Sequence, residues 1–212
     1  MQTGMGKTRS IQAARLLLDR YPVSLLISIG FAGGLVENLT AGDVILCQAF
    51  VDGNTGTTRL ASQFSPRLDL ALIPAGKSRG LVISQGVCAT IDHLAATAQE
   101  KRELGERFKA QVVDLESYWL AETAAQCGLP FIGIRVISDA IHERLPVLEN
   151  ALNSNGKVRF FSVIQHSFAV PGDIFGLMRV FRNSLRAGEK LNLVLKELIP
   201  LLERSDDAGR NR

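Results

Sequence analysis

The sequence has almost no excess of charge of either sign: 24 Lys and Arg stand against 21 Asp and Glu, a net of +3. That excess is too small to argue for nucleic acid or an acidic surface as partner, and much of it is local, at Lys7, Arg15 and Arg20 early and Arg179, Arg182, Arg186 and Lys190 late. No apolar run reaches transmembrane length, and the N-terminus has no charged-then-apolar leader pattern. The three cysteines, Cys47, Cys88 and Cys127, are an odd set without metal-ligand spacing. Each lies in or beside an apolar segment, so the reading is three buried free thiols in a reducing compartment, the cytoplasm. Internal repeats and low-complexity linkers are absent too. What remains is an ordinary globular composition: 212 residues, 46% apolar and 21% charged, enough for one large domain with a buried core.

The apolar pattern alternates between two periods. Ile11, Ala14, Leu17 and Leu18 recur at helical spacing over 7–20, and Tyr21-Pro22 ends that helix. VSLLISIG (23–30) is a continuous apolar run, expected to be a strand buried on both faces, and FAGGL then reads as a glycine-rich turn. Strands follow at 43–51 and 81–89, with a loop-rich region at 52–79 holding a short apolar stretch at 68–73. Thr97 and Glu100 form a capping box that opens a helix to about Lys109. QVVDLE (111–116) reads as a short strand, SYWLAETAAQC as a helix closed by Gly128 and Pro130, and FIGIRVIS (131–138) as a buried strand ending at Asp139. From Phe160 onward the pattern is helical, with a break at Pro171-Gly172, and 203–212 reads as a frayed polar tail. This is an α/β layout with a largely parallel or mixed sheet, in which ligands gather at strand ends.

TGMGKT (3–8) ends like a phosphate-binding loop, and VVDLE mimics the acidic strand that accompanies one. However, the first glycine of such a loop would fall at Met1, and no strand precedes it. A P-loop NTPase using Lys7 is one reading of these pieces.

Taken together and in order, TGMGK, the buried strand into GFAGGL, AGDVI, VVDLES and RVISDA resemble the nucleoside phosphorylase and nucleosidase family, from residue 3 to about 145. That family includes purine nucleoside phosphorylases and methylthioadenosine/S-adenosylhomocysteine nucleosidases. Beyond 140, ERLP, NGKV and PGDIFGLMRVFRNS look most like its hopanoid-associated branch. The resemblance implies a three-layer α/β fold with a mixed twisted sheet flanked by helices. It implies one domain over 1–203, helical from about 160, followed by a flexible tail at 204–212. It also implies cleavage of the N-glycosidic bond of a 5′-substituted adenine nucleoside, without a metal or organic cofactor. Phosphate or water would be the nucleophile, phosphate then being a co-substrate. The small-molecule nucleoside is the expected partner, with a homo-oligomer, dimeric or trimer-based, as the expected assembly.

Such cleavage needs a proton at N7 of the departing base and acceptors for the ribose hydroxyls. Asp139, with Ser138 before it, matches the family's aspartate that serves N7; partial burial is expected to help it hold a proton. A plain turn or helix cap is the other reading of the pair. Glu116 matches the acceptor of the 2′- and 3′-hydroxyls, a task that suits the two oxygens of a carboxylate. Leu115 matches an apolar residue packed on the sugar. Asp114 reads as structural, and Arg135, inside an apolar strand, as a support paired with a site carboxylate. Phe31, Ala32 and Gly33 match a Ser/Thr-Ala-Gly segment whose glycine lets backbone approach the ligand. Phe31 replaces the hydroxyl and suits an apolar 5′ group. His93 falls where an aromatic stacks on the purine, with Asp92 beside it, and Met5 near the 5′ substituent. Gly4 and Gly6 fall on the phosphate or water side. His142 and His166 carry no supporting context.

The family normally opens with a strand patterned like GII-x-A-M-x-x-E, and this sequence starts after it. The expectation is a sheet with unpaired backbone and an uncovered apolar face, closed by a neighbouring subunit, and a rival reading of a nucleoside-binding member without catalysis.

Overall fold

The computed structural model describes residues 6–61, 65–143 and 173–210. In chain order the elements are α1 (Lys7–Arg20), β1 (Leu26–Gly34), β2 (Val44–Asp52), β3 (Thr58–Leu60), α2 (Ser65–Ser78), β4 (Ile83–Thr90), α3 (Ala98–Phe108), β5 (Val112–Asp114), α4 (Ser117–Gln126), β6 (Phe131–Asp139) and α5 (Asp173–Arg210). The strands form one sheet in the order β3-β2-β4-β5-β1-β6, and β2 also pairs with β6, so the sheet curls closed with β3 outside the ring. β1 and β6 run parallel, as do β2, β4 and β5, and the two groups oppose each other where β5 meets β1 and β2 meets β6. The sheet is therefore mixed.

Alternation along the strands sorts side chains into two layers of core. Val44 and Leu46 of β2 and Ile132, Ile134 and Val136 of β6 pack on Leu72 of α2 and Ala187, Val194 and Leu198 of α5. Ile45, Cys47 and Phe50 of β2 and Ile137 of β6 share a second cluster with Ala14 of α1 and with Tyr118, Trp119 and Leu120 of α4. Helices thus cover both faces. A third cluster joins Leu104 and Phe108 of α3 to Ala89, Ile91 and Val113. The capping box of α3 is present in a shifted form: Thr97 accepts from the amide of Glu100, and the Glu100 carboxylate accepts from Ala96 N–H.

Several expectations are corrected. Phe31–Gly34 is strand rather than turn, because β6 pairs with β1 as far as Gly33, with an irregularity between Ala32 and Gly33. β1 is not buried on both faces: Ile27 to Gly30 are half-buried and Phe31 is 46% exposed. β5 pairs with β1 only at Gly33 and Gly34, so among the described residues the earlier part of that edge has no strand beside it. The region read as loop holds α2, whose apolar period is interrupted by Pro74 inside the helix. α5 carries helical backbone to Arg210, into the segment read as a frayed tail. Cys47 and Cys88 are buried free thiols, whereas Cys127, just past the end of α4, is exposed. No helix among the described residues is long and apolar enough to cross a membrane. Residues 1–5, 62–64, 144–172 and 211–212, which include Gly4, Met5 and His166, lie outside the described residues.

Candidate functional site

Gly33 organises the site. It pairs with Asp139 on one side and with Val113 on the other, so the last residue of β6 and the residue before Asp114 flank the same glycine. A β-carbon at Gly33 would stand 3.1 Å from Asp139 Oδ2 and 3.3 Å from Val113 Cγ1. Glycine is what allows the two strand ends to close on each other here.

Asp139 is 7% exposed. Its Oδ1 accepts from Ser138 Oγ at 2.6 Å, and its Oδ2 accepts from Lys101 Nζ at 2.5 Å. Ser138 Oγ also lies 3.2 Å from the Ala32 carbonyl, which ties the pair to β1. The Lys101 ammonium is buried and is supplied from α3.

Glu116 stands at the start of α4, directly after β5 and Leu115. Its Oε1 accepts the backbone N–H of Gly6 at 2.7 Å, across 110 residues of chain. Gly6 caps the start of α1 at φ 89°, a backbone conformation suited to glycine, with its amide on the carboxylate. Burial pushes the Glu116 carboxyl up from its ordinary value and the neighbouring Asp114 charge adds to that, against the Gly6 hydrogen bond and Arg135. Of the glycine-rich opening, Gly6 therefore serves Glu116. Lys7, the next residue, places its ammonium 3.9 Å from the centre of the Trp119 ring.

Behind Glu116 lies a buried polar layer. Arg135 Nε donates to Asp114 Oδ2 at 2.7 Å, and its other nitrogens donate to Ser28 Oγ, Ser28 O and Ile134 O. Asp114 also accepts from Thr90 Oγ1 and from the amides of Glu116 and Ser117. Burial alone would raise the Asp114 carboxyl; Arg135, Ser117 and Thr90 outweigh it and hold the group below its usual range. The same partnership raises Arg135 against the opposite effect of its burial. This layer fixes where α4 begins, and hence where Glu116 sits.

The remaining expected residues are less concentrated. Leu115 is half-buried and packs on the cluster around Ala89, Ile91 and Val113. His93 is exposed, with Nδ1 2.8 Å from Asp92 Oδ1 and Nε2 2.6 Å from Glu100 Oε1. Both ring nitrogens are engaged by carboxylates, which raise its pKa, Asp92 foremost. His142 pairs with Glu37 at the surface. A hollow of about 480 Å³ is lined by Leu35, Val36, Arg102, Lys109 and Ile141 among others, but by neither Asp139 nor Glu116, so it stands apart from both carboxylates. Lys101 and Ser28 enter the site only with the structure. Lys101 alone had a signal: it occupies the inward stripe of α3 at the spacing Lys101, Leu104, Phe108.

Fold and site define an α/β protein with one carboxylate at a buried strand end and another at a helix start. The chain belongs to the phosphorylase superfamily, whose family profile matches residues 1–161. It is similar to the 5′-methylthioadenosine/S-adenosylhomocysteine nucleosidase of Geobacillus thermodenitrificans, at 27% identity over 68% of this chain and 66% of that protein. The corresponding nucleosidase of Baumannia cicadellinicola is 28% identical over 82% of this chain and 79% of its own length. The chain thus spans about two thirds to four fifths of these relatives. Among solved structures, futalosine hydrolase of Helicobacter pylori superposes with a TM-score of 0.64 at 18% identity, over 92% of this chain and 78% of that one. The S-adenosylhomocysteine nucleosidase of Streptococcus pyogenes gives 0.64 at 19% identity, over 93% and 78%. Family membership displaces the P-loop reading of TGMGKT.

Proposed function

We propose that this chain is an N-glycosidase that releases adenine from a 5′-substituted adenosine. The observation that carries the reading is the pair of carboxylates, Asp139 held by Ser138 and Lys101, and Glu116 held by the start of α1, in a chain similar to named nucleosidases. In the proposed reaction the electron pair of the C1′–N9 bond goes to the base as the bond breaks. Asp139 passes a proton to N7, and an oxygen of water or phosphate bonds to C1′; an attacking water gives up a proton to solvent, and one proton from solvent restores Asp139 for the next turnover. Glu116 accepts the ribose hydroxyls and stabilises the positive charge that develops on the sugar. Ser138, Ala32 and Gly33 line the base side, Leu115 the sugar, and Phe31 an apolar 5′ group. No metal or organic cofactor enters this scheme.

Water is the favoured nucleophile, since the similar proteins are named as nucleosidases. Phosphorolysis, and a long apolar 5′ group of the adenosylhopane kind, are finer alternatives. We place the protein in the cytoplasm, in keeping with its free thiols, as a homo-oligomer whose state light scattering would give.

The test is adenine release, followed by chromatography, from methylthioadenosine, adenosylhomocysteine and a long-chain 5′-alkyl adenosine, each with and without phosphate. Release without phosphate is expected, with loss of about 10²-fold or more in Asp139→Asn. Tight nucleoside binding with no product from any substrate would instead make this a binding protein.

A further inference from the structure

Lys101 is 0% exposed although it is a lysine on an otherwise strongly charged helix. Its ammonium has three hydrogen-bond acceptors: Asp139 Oδ2 at 2.5 Å, the Ala140 carbonyl at 2.8 Å and the Glu143 carbonyl at 3.2 Å. A primary ammonium has three protons to give, so this cation is fully used. All three acceptors lie on the end of β6 and the turn that follows it. The turn is held from the other side as well. The Glu143 carboxylate accepts Ala140 N–H at 3.1 Å and the side-chain amide of Asn183, from α5, at 2.8 and 2.9 Å.

We infer that Lys101 is the positioning residue of Asp139, holding one carboxylate oxygen so that the other works with Ser138 toward the departing base. The inference rests on Asp139 serving the base, as proposed above. Its chemical content is specific. When Asp139 hands its proton to N7, the negative charge left on the carboxylate forms beside an ammonium already in place, and no solvent need reorganise. Lys101 touches neither base nor sugar in this scheme, and acts through Asp139. The same contact explains why Gly33 must be small: a β-carbon there would press on Asp139 Oδ2, with Lys101 Cε 3.7 Å away.

The experiment compares two leaving groups in Lys101→Met and Lys101→Gln. One substrate is methylthioadenosine, whose adenine needs a proton to leave. The other is 4-nitrophenyl 5-methylthioriboside, whose nitrophenolate departs without one. On the adenine substrate kcat should fall by about 10²-fold with KM little changed, the order that general acid catalysis contributes. Lys101→Gln, which keeps a donor for the turn, should lose less than Lys101→Met. Nitrophenol release should stay within about threefold of wild type in both. Wild-type adenine release in either variant overturns the inference. So does an equal fall for both leaving groups, or failure of both variants to fold, since each makes Lys101 a structural anchor only. Asp139→Asn in the same series separates the two levels. Adenine release lost there but intact in the Lys101 variants removes Lys101 and leaves the proposed function. Undiminished release in Asp139→Asn removes Asp139 itself.

Discussion

Glu116 sits among neighbours that disagree about its charge. Burial and Asp114 oppose ionisation, while the Gly6 amide and Arg135 favour it, and the first two prevail. In the proposed reaction it must be ionised to accept two hydroxyls. As pH falls, a glutamate with a raised pKa takes up its proton earlier than an ordinary one. The acid limb of kcat/KM should therefore lie higher than an ordinary glutamate would place it. Glu116→Gln should remove that limb and lower kcat/KM by about 10–100-fold, the scale of a hydrogen bond to a charged group. A pH-rate profile of the two proteins checks both. Asp114 behaves in the opposite sense. Its folded-state pKa is held below the unfolded value, so the stability it contributes is present above the unfolded pKa and is lost as pH falls through the folded one. Arg135→Met should cost about 3–5 kcal/mol near neutral pH, because it leaves a buried carboxylate without its cation. Urea unfolding of that variant should show the deficit shrinking as Asp114 becomes protonated in acid.

At the scale of elements, the site is assembled by termini. β6 ends on Asp139 and β5 on Asp114, α1 begins directly after Gly6 and α4 directly after Glu116. The three-residue length of β5 matters, since it brings Asp114 onto the same stretch of sheet as Asp139 although β5 and β1 run in opposite directions. Gly33→Ala tests this arrangement. Its new methyl meets Asp139 Oδ2 and a branch of Val113 rather than open space. The variant should fold, with kcat lowered about tenfold, since Asp139 has to give by a fraction of an ångström where a full ångström of misplacement costs about 10²-fold. Steady-state kinetics beside a urea melt distinguishes this from simple destabilisation.

For the molecule as a whole, two apolar layers on either side of the sheet supply most of the stability, and α5 closes one of them. Leu198, 2% exposed, is central to that closure. Leu198→Ala should destabilise by about 2–5 kcal/mol in urea unfolding and leave kcat unchanged at low temperature. Much of this architecture could be read from the residues. The periods of 7–20, 43–51, 97–109 and 131–138 match α1, β2, α3 and β6 to within a residue or two. α2 could not be read, because prolines at 66 and 74 hide a helix that packing on β2 and α5 sustains. Neither could the extension of β1 through its glycines, where the parallel ladder with β6 overrides the turn preference of FAGG.

The sequence by itself determined the alternation of strands and helices, the placing of Asp139, Asp114 and Glu116 at element ends, and the order of motifs that marks the family. These depend on residues within a few positions of each other. Tertiary structure decided which partner meets each carboxylate: Arg135 for Asp114 across 21 residues, Lys101 for Asp139 across 38, and the Gly6 amide for Glu116 across 110. Such pairings follow from sheet register, from the irregularity at Ala32 and Gly33, and from the direction in which α3 presents its inward stripe. No local period encodes them, and the chemistry proposed for the site depends on all three.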